Sequence, residues 1–423
     1  MKPNTTHYHA TIIGGGLIGK TAALALTQCG LKVALVAPDE LHIPLPEIAS
    51  NKKSLLIEKS RVYAFSASSQ ALFNRLRIWP SIPKNELGLV YDMEIFGDHN
   101  GYLQFSAFQA ELAQLAWIIK SDVIESILDK ALAFQSNLTY FNSRICHFEN
   151  QENGLLIHLD RGHTFLTELM IGADGAQSWV RQKAGFASTS YDYKQSAIVA
   201  NFVTEKPHCE IARQWFISYQ TNYLNQLTTA QTQPLPANKN INAEILALLP
   251  MANGQVSLVW SAEKEHAKQL FEFNAEQLSQ AVAKQTNFIL GKLSCVSKPQ
   301  IFPLEMRHLK SLIAPNIVLM GDAAHLIHPL AGQGVNLGLR DVAILAEVLA
   351  AKESFKSYGN HTVLRRYERM RKEDIAKLTF ATDSLQKLFA IENPAVRWVR
   401  NFGMSALARQ TILKKWLISQ AIN

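Results

Sequence analysis

The chain has 423 residues, of which 48% are hydrophobic and 18% are charged, and its formal net charge is +7. This length exceeds the usual size of a single hydrophobic core, so we expect two globular domains that share one interface. The absence of an uninterrupted run of about 18 apolar residues argues against a membrane-spanning helix. The N-terminus enters its first strand too soon for a signal peptide, and we therefore expect a cytoplasmic protein.

The four cysteines predict free thiols. Cys29, Cys146, Cys209 and Cys295 are far apart in the sequence, form no CxxC pair and have no histidine cluster at ligand spacing. We expect these thiols to be mostly buried, in a reducing compartment. The sequence predicts no metal site.

The N-terminal segment predicts a βαβ unit that binds a dinucleotide. A strand-like run over 9–13 leads into a loop with Gly14, Gly16 and Gly19, and a helix and a second strand follow. Glycines in such a loop let a pyrophosphate approach the helix N-terminus, where free N–H groups and the positive end of the helix dipole lie. Because the strands and the helix flank the loop at the required spacing, we predict a dinucleotide site here.

The adenosine end of this site departs from the usual pattern. The acid expected at the end of the second strand, where it would bind the ribose, falls at Ala37, and Asp39 follows two residues later. Either a shifted loop brings Asp39 to the ribose, or this contact is missing and the affinity for the dinucleotide is reduced.

A second motif follows the apolar run 166–171. Asp174 and Gly175 lie near the start of the segment 172–181, directly after this run. An acid and a glycine after a strand are also typical of an ordinary turn. The order and spacing relative to the other motifs favour a cofactor contact.

The region over 196–261 predicts antiparallel strands. Val256, Leu258 and Trp260 are apolar and alternate with residues such as Ser257. This period of two is typical of strands that have one buried face.

The third motif joins an acid at a strand end to a glycine-rich loop. Asp322 follows a short apolar run that predicts a buried strand, and α/β folds place ligand contacts at such carboxyl ends. Pro329 ends the regular structure, and Gly332 and Gly334 allow the backbone to approach a flat ligand. The helix predicted over 333–351 would direct its free N–H groups toward that ligand. These features predict a cradle for a flavin, which carries negative charge when it is reduced.

With these motifs, the chain resembles the class A flavoprotein aromatic hydroxylases, and more closely the ubiquinone-biosynthesis branch that hydroxylates polyprenylated phenols. The resemblance covers nearly the whole chain. The further segments that carry it are 61–66, 191–197, 302–304, 336–342, 367–371 and, for the quinone branch, 381–389.

Three features depart from this family. Lys59 stands where an acid is usual, and Lys120 and Ser121 stand where the family tends to have Glu and Asn. An extra polar stretch lies between 217 and 243.

The resemblance implies an α/β fold of the GR2 or p-hydroxybenzoate hydroxylase type. Such a fold has a Rossmann-like FAD-binding domain, an inserted substrate domain with a mixed or antiparallel β-sheet, and a helical C-terminal region. The expected ranges are 1–75, 98–185 and 295–355 for the FAD-binding domain, 76–97 and 186–294 for the substrate domain, and 356–423 for the C-terminal region.

The resemblance also implies roles for single residues. Asp322 would bind the ribityl chain of FAD, and Arg61 would approach the pyrophosphate or the ribose. Asp174 and Gly175 would lie where the flavin and a transient nicotinamide cofactor meet. The complete set of predicted cofactor-binding residues is Gly14, Gly16, Gly19, Asp39, Arg61, Asp174, Gly175, Gly321, Asp322, Gly332, Gln333, Gly334, Val335 and Asn336.

The activity implied by the resemblance is FAD-dependent hydroxylation of a polyprenylated phenol, with NADH or NADPH and O₂ as co-substrates and a C4a-hydroperoxyflavin. Pro329 would form the wall beside the reacting atoms. His325 and His328 are the nearest titratable side chains, and each is predicted either to steer a phenol proton or to serve as a structural donor. A flavin hydroxylase of another small aromatic, or a non-catalytic flavoprotein subunit of a biosynthetic complex, remains an alternative.

The positive charge of the chain is concentrated in its C-terminal segment. Residues 351–423 contain 14 Lys and Arg against 6 Asp and Glu, whereas the preceding residues contain 28 against 29. Aromatic, aliphatic and basic residues alternate there in the pattern of an amphipathic helix, which argues against nucleic acid as a partner. The segment is predicted to contact an anionic membrane surface or a protein partner, or to pack on its own domain with a solvated basic face.

Overall fold

A computed structural model describes residues 6–38, 61–97, 101–217, 244–327 and 333–390. The described strands, in chain order, are β1 (His7–Ile13), β2 (Val33–Ala37), β3 (Val62–Phe65), β4 (Gly88–Val90), β5 (Asp92–Phe96), β6 (Tyr102–Ser106), β7 (Ala116–Lys120), β8 (Leu138–Asn142), β9 (Ile145–Gln151), β10 (Gly154–Leu159), β11 (Thr164–Gly172), β12 (Ser188–Thr204), β13 (Ile211–Ile217), β14 (Glu244–Pro250), β15 (Gln255–Glu263), β16 (Leu293–Cys295), β17 (Gln300–Leu309), β18 (Ile313–Ala314) and β19 (Ile317–Leu319). The described helices are α1 (Leu17–Gln28), α2 (Ala67–Arg75), α3 (Ser121–Ala133), α4 (Trp179–Lys183), α5 (Lys264–Glu272), α6 (Ala275–Gln285), α7 (Gln333–Ala350) and α8 (His361–Ala390).

The first sheet has the strand order β18-β19-β11-β1-β2-β8, and β9 and β10 extend it as an antiparallel hairpin beside β11. The strands from β19 to β8 are parallel. Parallel strands are buried on both faces and read as continuous apolar runs, and all five residues of β2 are buried. On its helical side, Lys20 of α1 forms a buried ion pair with Asp129 of α3 at 2.7 Å. The predicted βαβ unit is therefore present, and α1 begins at Leu17, directly after the glycines at 14–16.

The second sheet has the order β16-β12-β15-β14-β13-β5-β6, and β17 pairs with β12. All its strand pairs are antiparallel except β13 with β5. Val256, Leu258 and Trp260 pack with α5 and α6, as the alternating pattern predicted. Ser257 on the opposite face is also fully buried. The expectation of a single buried face is wrong here because this sheet is covered on both sides.

The strand pairing differs from the ranges drawn from the sequence at two points. β6 lies within 98–185 and β17 lies within 295–355, both of which were assigned to the FAD-binding domain, yet both strands pair in the second sheet. Strand partners far apart in sequence leave no local signal, so the pattern of each strand alone did not indicate its sheet.

The third sheet has the order β3-β7-β4, and Tyr63 and Phe65 of β3 belong to the core of the first sheet. Val62 and Ala64 of β3 and Ile118 of β7 pack in one apolar cluster with Ala212 and Leu249 of the second sheet. This contact places β3 against the face of the second sheet that is turned away from α5 and α6.

The C-terminal region is helical as far as residue 390, which confirms the predicted helical region for its described part. Val363, Leu364 and Tyr367 of α8 belong to the core of the first sheet. In the part of the chain that the structure describes, no helix is long and apolar enough to span a membrane. The segments 218–243 and 391–423, to which the extra stretch and most of the predicted amphipathic tail belong, lie outside the described residues.

The four cysteines are free thiols, as predicted. Cys29, Cys146 and Cys209 are exposed, and Cys295 is partly buried. The expectation that they are mostly buried is therefore wrong. Within the described ranges, no group of histidine, cysteine and acidic residues could hold a metal ion.

Candidate flavin site

Three predicted motifs meet at one edge of the first sheet. In the parallel register, Ile13 of β1 lies beside Gly172 of β11, and Gly172 lies beside Leu319 of β19. The loops that begin with Gly14, Ala173 and Met320 therefore leave the sheet side by side. Carboxyl ends of parallel strands are the usual ligand sites of α/β folds.

The glycine loop has the shape that a pyrophosphate site requires. Gly14 has a φ of +121°, and a Cβ at this position would lie 2.3 Å from the carbonyl oxygen of Ala173. A Cβ at Gly19 would lie 1.9 Å from the carbonyl oxygen of Gly14, so the loop packs directly against α1. Gly16 faces open space and is the N-cap of α1, where no side chain caps the helix. The first N–H groups of α1 are thus available to an anion.

The adenosine end is the least determined part of the site. Ala37 is buried at the end of β2, and a Cβ on Gly15 would lie 2.6 Å from the Cβ of Ala37. A small side chain at position 37 thus lies directly against the glycine loop. Asp39, the alternative ribose ligand, lies outside the described residues, and both alternatives stay predictions.

Asp322 presents an exposed carboxylate at this edge. It follows Gly321, which has a φ of +58°. No described residue hydrogen-bonds or pairs with Asp322. Burial raises the pKa of Tyr63 in β3 to about 12. The positive charge of Arg61 opposes this rise, and the negative charge of Asp322 adds to it. Asp322 and Arg61, two of the predicted cofactor contacts, therefore both act on the pKa of Tyr63.

A buried ionic network lies behind the Gly321 turn. The carboxylate of Asp341 accepts hydrogen bonds from the N–H of Gly321 at 2.8 Å, from Nε2 of His325 at 2.6 Å and from Nε of Arg371 at 2.6 Å. Burial alone raises the pKa of Asp341, but the charges of His325 and Arg371 and these hydrogen bonds lower it below its ordinary value. Asp341 is therefore ionised at neutral pH and fixes the turn that carries Asp322.

The surroundings of His325 bear on the two roles that the sequence left open. Its ring is 3% exposed, and its Nε2 lies against an ionised carboxylate, which can only accept a hydrogen bond. This geometry favours a structural donor over a group that steers a phenol proton. The other two predicted catalytic residues, His328 and Pro329, lie outside the described residues, as does Gly332.

Asn336 braces the start of α7 against β3 and α2. Its amide nitrogen donates to the carbonyl oxygen of Ala64 at 2.8 Å, and its Oδ1 accepts from the N–H of Ser66 at 3.0 Å and from Oγ of Ser69 at 2.7 Å. The side chain is buried and engaged by the protein, although the sequence predicted a cofactor contact. The neighbouring Gly334 faces open space. Asn336 thus positions the helix start, of which Gln333 and Val335 are also part.

Asp174 has one oxygen in use and one free. Its Oδ2 accepts from the N–H of Val180 at 3.0 Å, whereas its buried Oδ1 has no hydrogen-bond partner among the described residues. Gly175 has a φ of +79° and faces open space. A buried carboxylate oxygen without a donor is costly, so a ligand that donates a hydrogen bond fits this position.

Sequence reasoning missed Arg181 as a part of the site. Its guanidinium donates to the carbonyl oxygen of Ala323 at 3.0 Å and to that of Ala176 at 2.8 Å. Arg181 therefore ties the loop after β11 to the Gly321 turn. The sequence signal for Arg181 was a basic residue at the end of the second motif. The signal for Asp341 was a charged residue within the apolar stripe of a helix.

Taken together, the glycine loop, the exposed Asp322 carboxylate and the free oxygen of Asp174 fit FAD.

Comparison with known proteins agrees with this geometry. A family model described as an FAD binding domain matches residues 7–382. The chain is 29% identical to the 3-demethoxyubiquinol 3-hydroxylase of Escherichia coli over 413 aligned residues, and the alignment covers 97% of each protein. It is 30% identical to the human mitochondrial ubiquinone biosynthesis monooxygenase COQ6 over 468 aligned positions, and the alignment covers 98% of this chain and 92% of that protein.

Solved structures show the same fold. The p-nitrophenol 4-monooxygenase PnpA of Pseudomonas putida matches with a TM-score of 0.73 and 15% identity over 98% of both chains. PqsL of Pseudomonas aeruginosa in complex with 2-aminobenzoylacetate matches with a TM-score of 0.72 and 17% identity, over 94% of this chain and all of the other. These likenesses confirm the predicted fold class, and the relatives confirm the resemblance to hydroxylases of ubiquinone biosynthesis. The chain belongs to the FAD binding domain family.

Proposed function

We propose that this protein is an FAD-dependent monooxygenase that hydroxylates the aromatic ring of a polyprenylated phenol in ubiquinone biosynthesis, with NADH or NADPH and O₂ as co-substrates. The observation that carries the proposal is the identity with relatives named for this chemistry over almost the full length of the chain. We assign cofactor binding to the first sheet and its helices, and substrate binding to the second sheet.

The chain's residues divide the binding of FAD between them. The loop from Gly14 to Gly19 and the N-terminus of α1 hold the pyrophosphate, and Asp322 holds the ribityl chain. Arg61, whose guanidinium lies over the ring of Tyr63, would neutralise phosphate charge of the cofactor, and Asp174 offers its free oxygen at the nicotinamide side. FAD, when bound, supplies the redox chemistry of the reaction.

The protein groups around the flavin site hold its backbone in place and exclude water from it. The Asp341 network keeps the Gly321 turn rigid, and Asn336 holds the start of α7 so that its N–H groups face the site. The apolar cluster between β3 and the second sheet excludes water from the region next to the cofactor. Pro329 is proposed as the wall beside the reacting atoms, and His328 as the side chain that steers a phenol proton.

The buried cations favour a neutral aromatic substrate over an aromatic carboxylate. A carboxylate ring would need a buried positive charge that is free to bind it. Among the described residues, Arg213 is committed to Glu94 at 2.8 Å, Arg371 to Asp341, and Lys20 to Asp129. Arg181 is bound to two carbonyl oxygens. A phenol requires none of these charges.

Purification and turnover test the proposal. We expect a yellow protein with stoichiometric FAD, whose oxidation of NADH or NADPH is stimulated by a short-chain prenylphenol and yields a product heavier by one oxygen atom. A protein that binds FAD but produces no hydroxylated phenol would favour the alternative of a non-catalytic subunit. Stimulation by a small soluble phenol, with no response to prenylphenols, would favour a hydroxylase of another aromatic.

We further propose that the protein associates peripherally with an anionic membrane surface, where a prenylated substrate dissolves. Support comes from the basic excess of residues 351–423 and from α8, on which Arg365, Arg369, Lys377 and Phe380 are exposed. Removal of 397–423 is expected to reduce turnover of long-prenyl substrates more than that of short ones, and to reduce binding to anionic vesicles. Equal loss on both substrates with unchanged vesicle binding would favour packing of this segment on its own domain.

A further inference from the structure

Two polar side chains in the middle of the second sheet are buried without hydrogen bonds. Asn201 of β12 and Ser257 of β15 are both 0% exposed and lie directly opposite each other in the antiparallel register. Among the described residues, neither Nδ2 nor Oδ1 of Asn201 nor Oγ of Ser257 has a partner. Buried polar atoms are almost always satisfied by a protein group, a water or a ligand, and each exception calls for an explanation.

The pair points away from the helices that cover the sheet. Ala200 and Phe202 flank Asn201 and pack with α5 and α6, as does Leu258 beside Ser257. Side chains alternate along a strand, so Asn201 and Ser257 lie on the opposite face.

That opposite face is turned toward the candidate flavin site. Ser257 pairs on its other side with Leu249 of β14, and Leu249 packs in one cluster with Val62 and Ala64 of β3. The carbonyl oxygen of Ala64 in turn binds Asn336 at the start of α7. The polar pair thus lies on the same face of the second sheet as the residue that packs with β3.

A third residue with an unsatisfied buried atom, Gln255, lies beside this pair at the start of β15. Gln255 lies two residues before Ser257 on the same face, and its Oε1 is also buried without a partner in the described part of the chain. The amide of Asn201 can both donate and accept, the hydroxyl of Ser257 can do either, and the oxygen of Gln255 accepts. Such a set matches the oxygen substituents of a neutral ring and has no charge to offer an anion.

We propose that Asn201 and Ser257 bind the oxygen substituents of the substrate's aromatic ring and so determine which phenols are accepted. This inference depends on the proposed function, because the ligand it assigns is the phenol. The orphaned atoms are a stability cost in the ligand-free protein that is offset when the phenol supplies the missing partners.

The test compares Ser257→Ala and Asn201→Leu with the parent, all loaded with FAD to equal occupancy. A short-chain prenylphenol and the corresponding prenylbenzene, which lacks ring oxygen, are titrated against the flavin absorbance of the oxidised enzyme. We expect each variant to bind the prenylphenol about ten-fold more weakly and to bind the prenylbenzene as tightly as the parent or more tightly. Both variants are also expected to melt at or above the parent temperature without ligand, because an unsatisfied polar group has been removed.

Ser279→Ala is the matched control. Ser279 is a buried serine of α6, one of the helices that cover the second sheet. Unlike the hydroxyl of Ser257, its hydroxyl donates to the carbonyl oxygen of Ala275 at 2.6 Å and accepts from the N–H of Cys295 at 3.0 Å. This variant should melt at a lower temperature and keep the parent's preference for the phenol.

Two outcomes would overturn the inference in different ways. If the parent prefers the phenol and both variants keep that preference, the pair holds only an ordered water and the inference alone fails. If the FAD-loaded parent does not prefer the phenol over the prenylbenzene, the proposed function fails and the inference fails with it. Ser257→Ala removes a single atom, so it keeps the test decisive even if Asn201→Leu does not fold.

Discussion

Replacing Asp341 with asparagine removes the negative charge from the fully buried centre of the network behind the Gly321 turn. Loss of one member of a buried ion pair costs about 3–5 kcal/mol. The asparagine oxygen can still accept the hydrogen bond from the N–H of Gly321, and Arg371 keeps Asp374 as a partner at 2.6 Å. We therefore expect a cost near the lower end, about 3 kcal/mol, with weaker binding of FAD because the turn that carries Asp322 is less firmly held.

Urea unfolding of the apoprotein, followed by tryptophan fluorescence, measures this cost. Asp374→Asn is the control, because Asp374 is partly exposed and pairs with Arg340 at 2.9 Å and with Arg371. Partly exposed pairs contribute about 0–1 kcal/mol, so the control should unfold close to the parent. An Asp341→Asn protein as stable as the Asp374→Asn protein would refute the reasoning.

The pH dependence adds an independent check of the same network. The pKa of Asp341 is lowered in the folded protein, because His325 and Arg371 outweigh the effect of burial. A lowered carboxyl pKa gives stability that is present above the unfolded value, about 3.9, and is lost as the pH falls through the folded value. The difference in unfolding free energy between the parent and Asp341→Asn should therefore shrink in acid. A constant difference across this range would contradict the assignment of the charge to Asp341.

Three further predictions concern single residues. Asp322→Ala is expected to weaken FAD binding by about 1.5–3 kcal/mol, roughly ten- to a hundred-fold, by fluorescence titration of the apoprotein, and full FAD affinity in this variant would contradict the role of Asp322. The pKa of His266 is raised, because the charge of Glu244 and its hydrogen bond at 2.6 Å outweigh the effect of burial. The contribution of this pair to folding stability is present below about pH 6.5 and is lost as the pH rises through the raised pKa. Urea titrations across that range should show the loss in the parent and not in His266→Gln. If Asp39 binds the ribose, Asp39→Ala should weaken FAD binding by more than about 0.5 kcal/mol, the usual limit for surface changes. If the ribose contact is missing, Ala37→Glu should strengthen FAD binding where the strand end has room for the side chain. FAD affinities equal to that of the parent in both variants would refute both alternatives.

The sequence by itself determined the local units of this protein. The strand, glycine loop and helix at the N-terminus follow from an apolar run, from glycines and from helical periodicity, and all three lie within a few dozen residues. Asp322 and Asp174 were predicted as site residues because each follows a buried strand, and the structure places the ends of those parallel strands at a common edge. The alternation around Leu258 likewise predicted antiparallel strands.

Only the tertiary structure decided how side chains distant in sequence meet. Asp341 lies 16 residues from His325 and 30 from Arg371 along the chain, and no local pattern indicates that their side chains share one buried site. The same reason applies to Asn336, whose side chain binds Ala64 and Ser66 in the fold and whose contact with the cofactor stays a prediction. Burial of the polar pair Asn201 and Ser257 depends on what covers the second sheet, and such coverage is set by packing between elements. Local propensity determines elements, whereas partners and burial are determined by contacts that form only when the elements pack together.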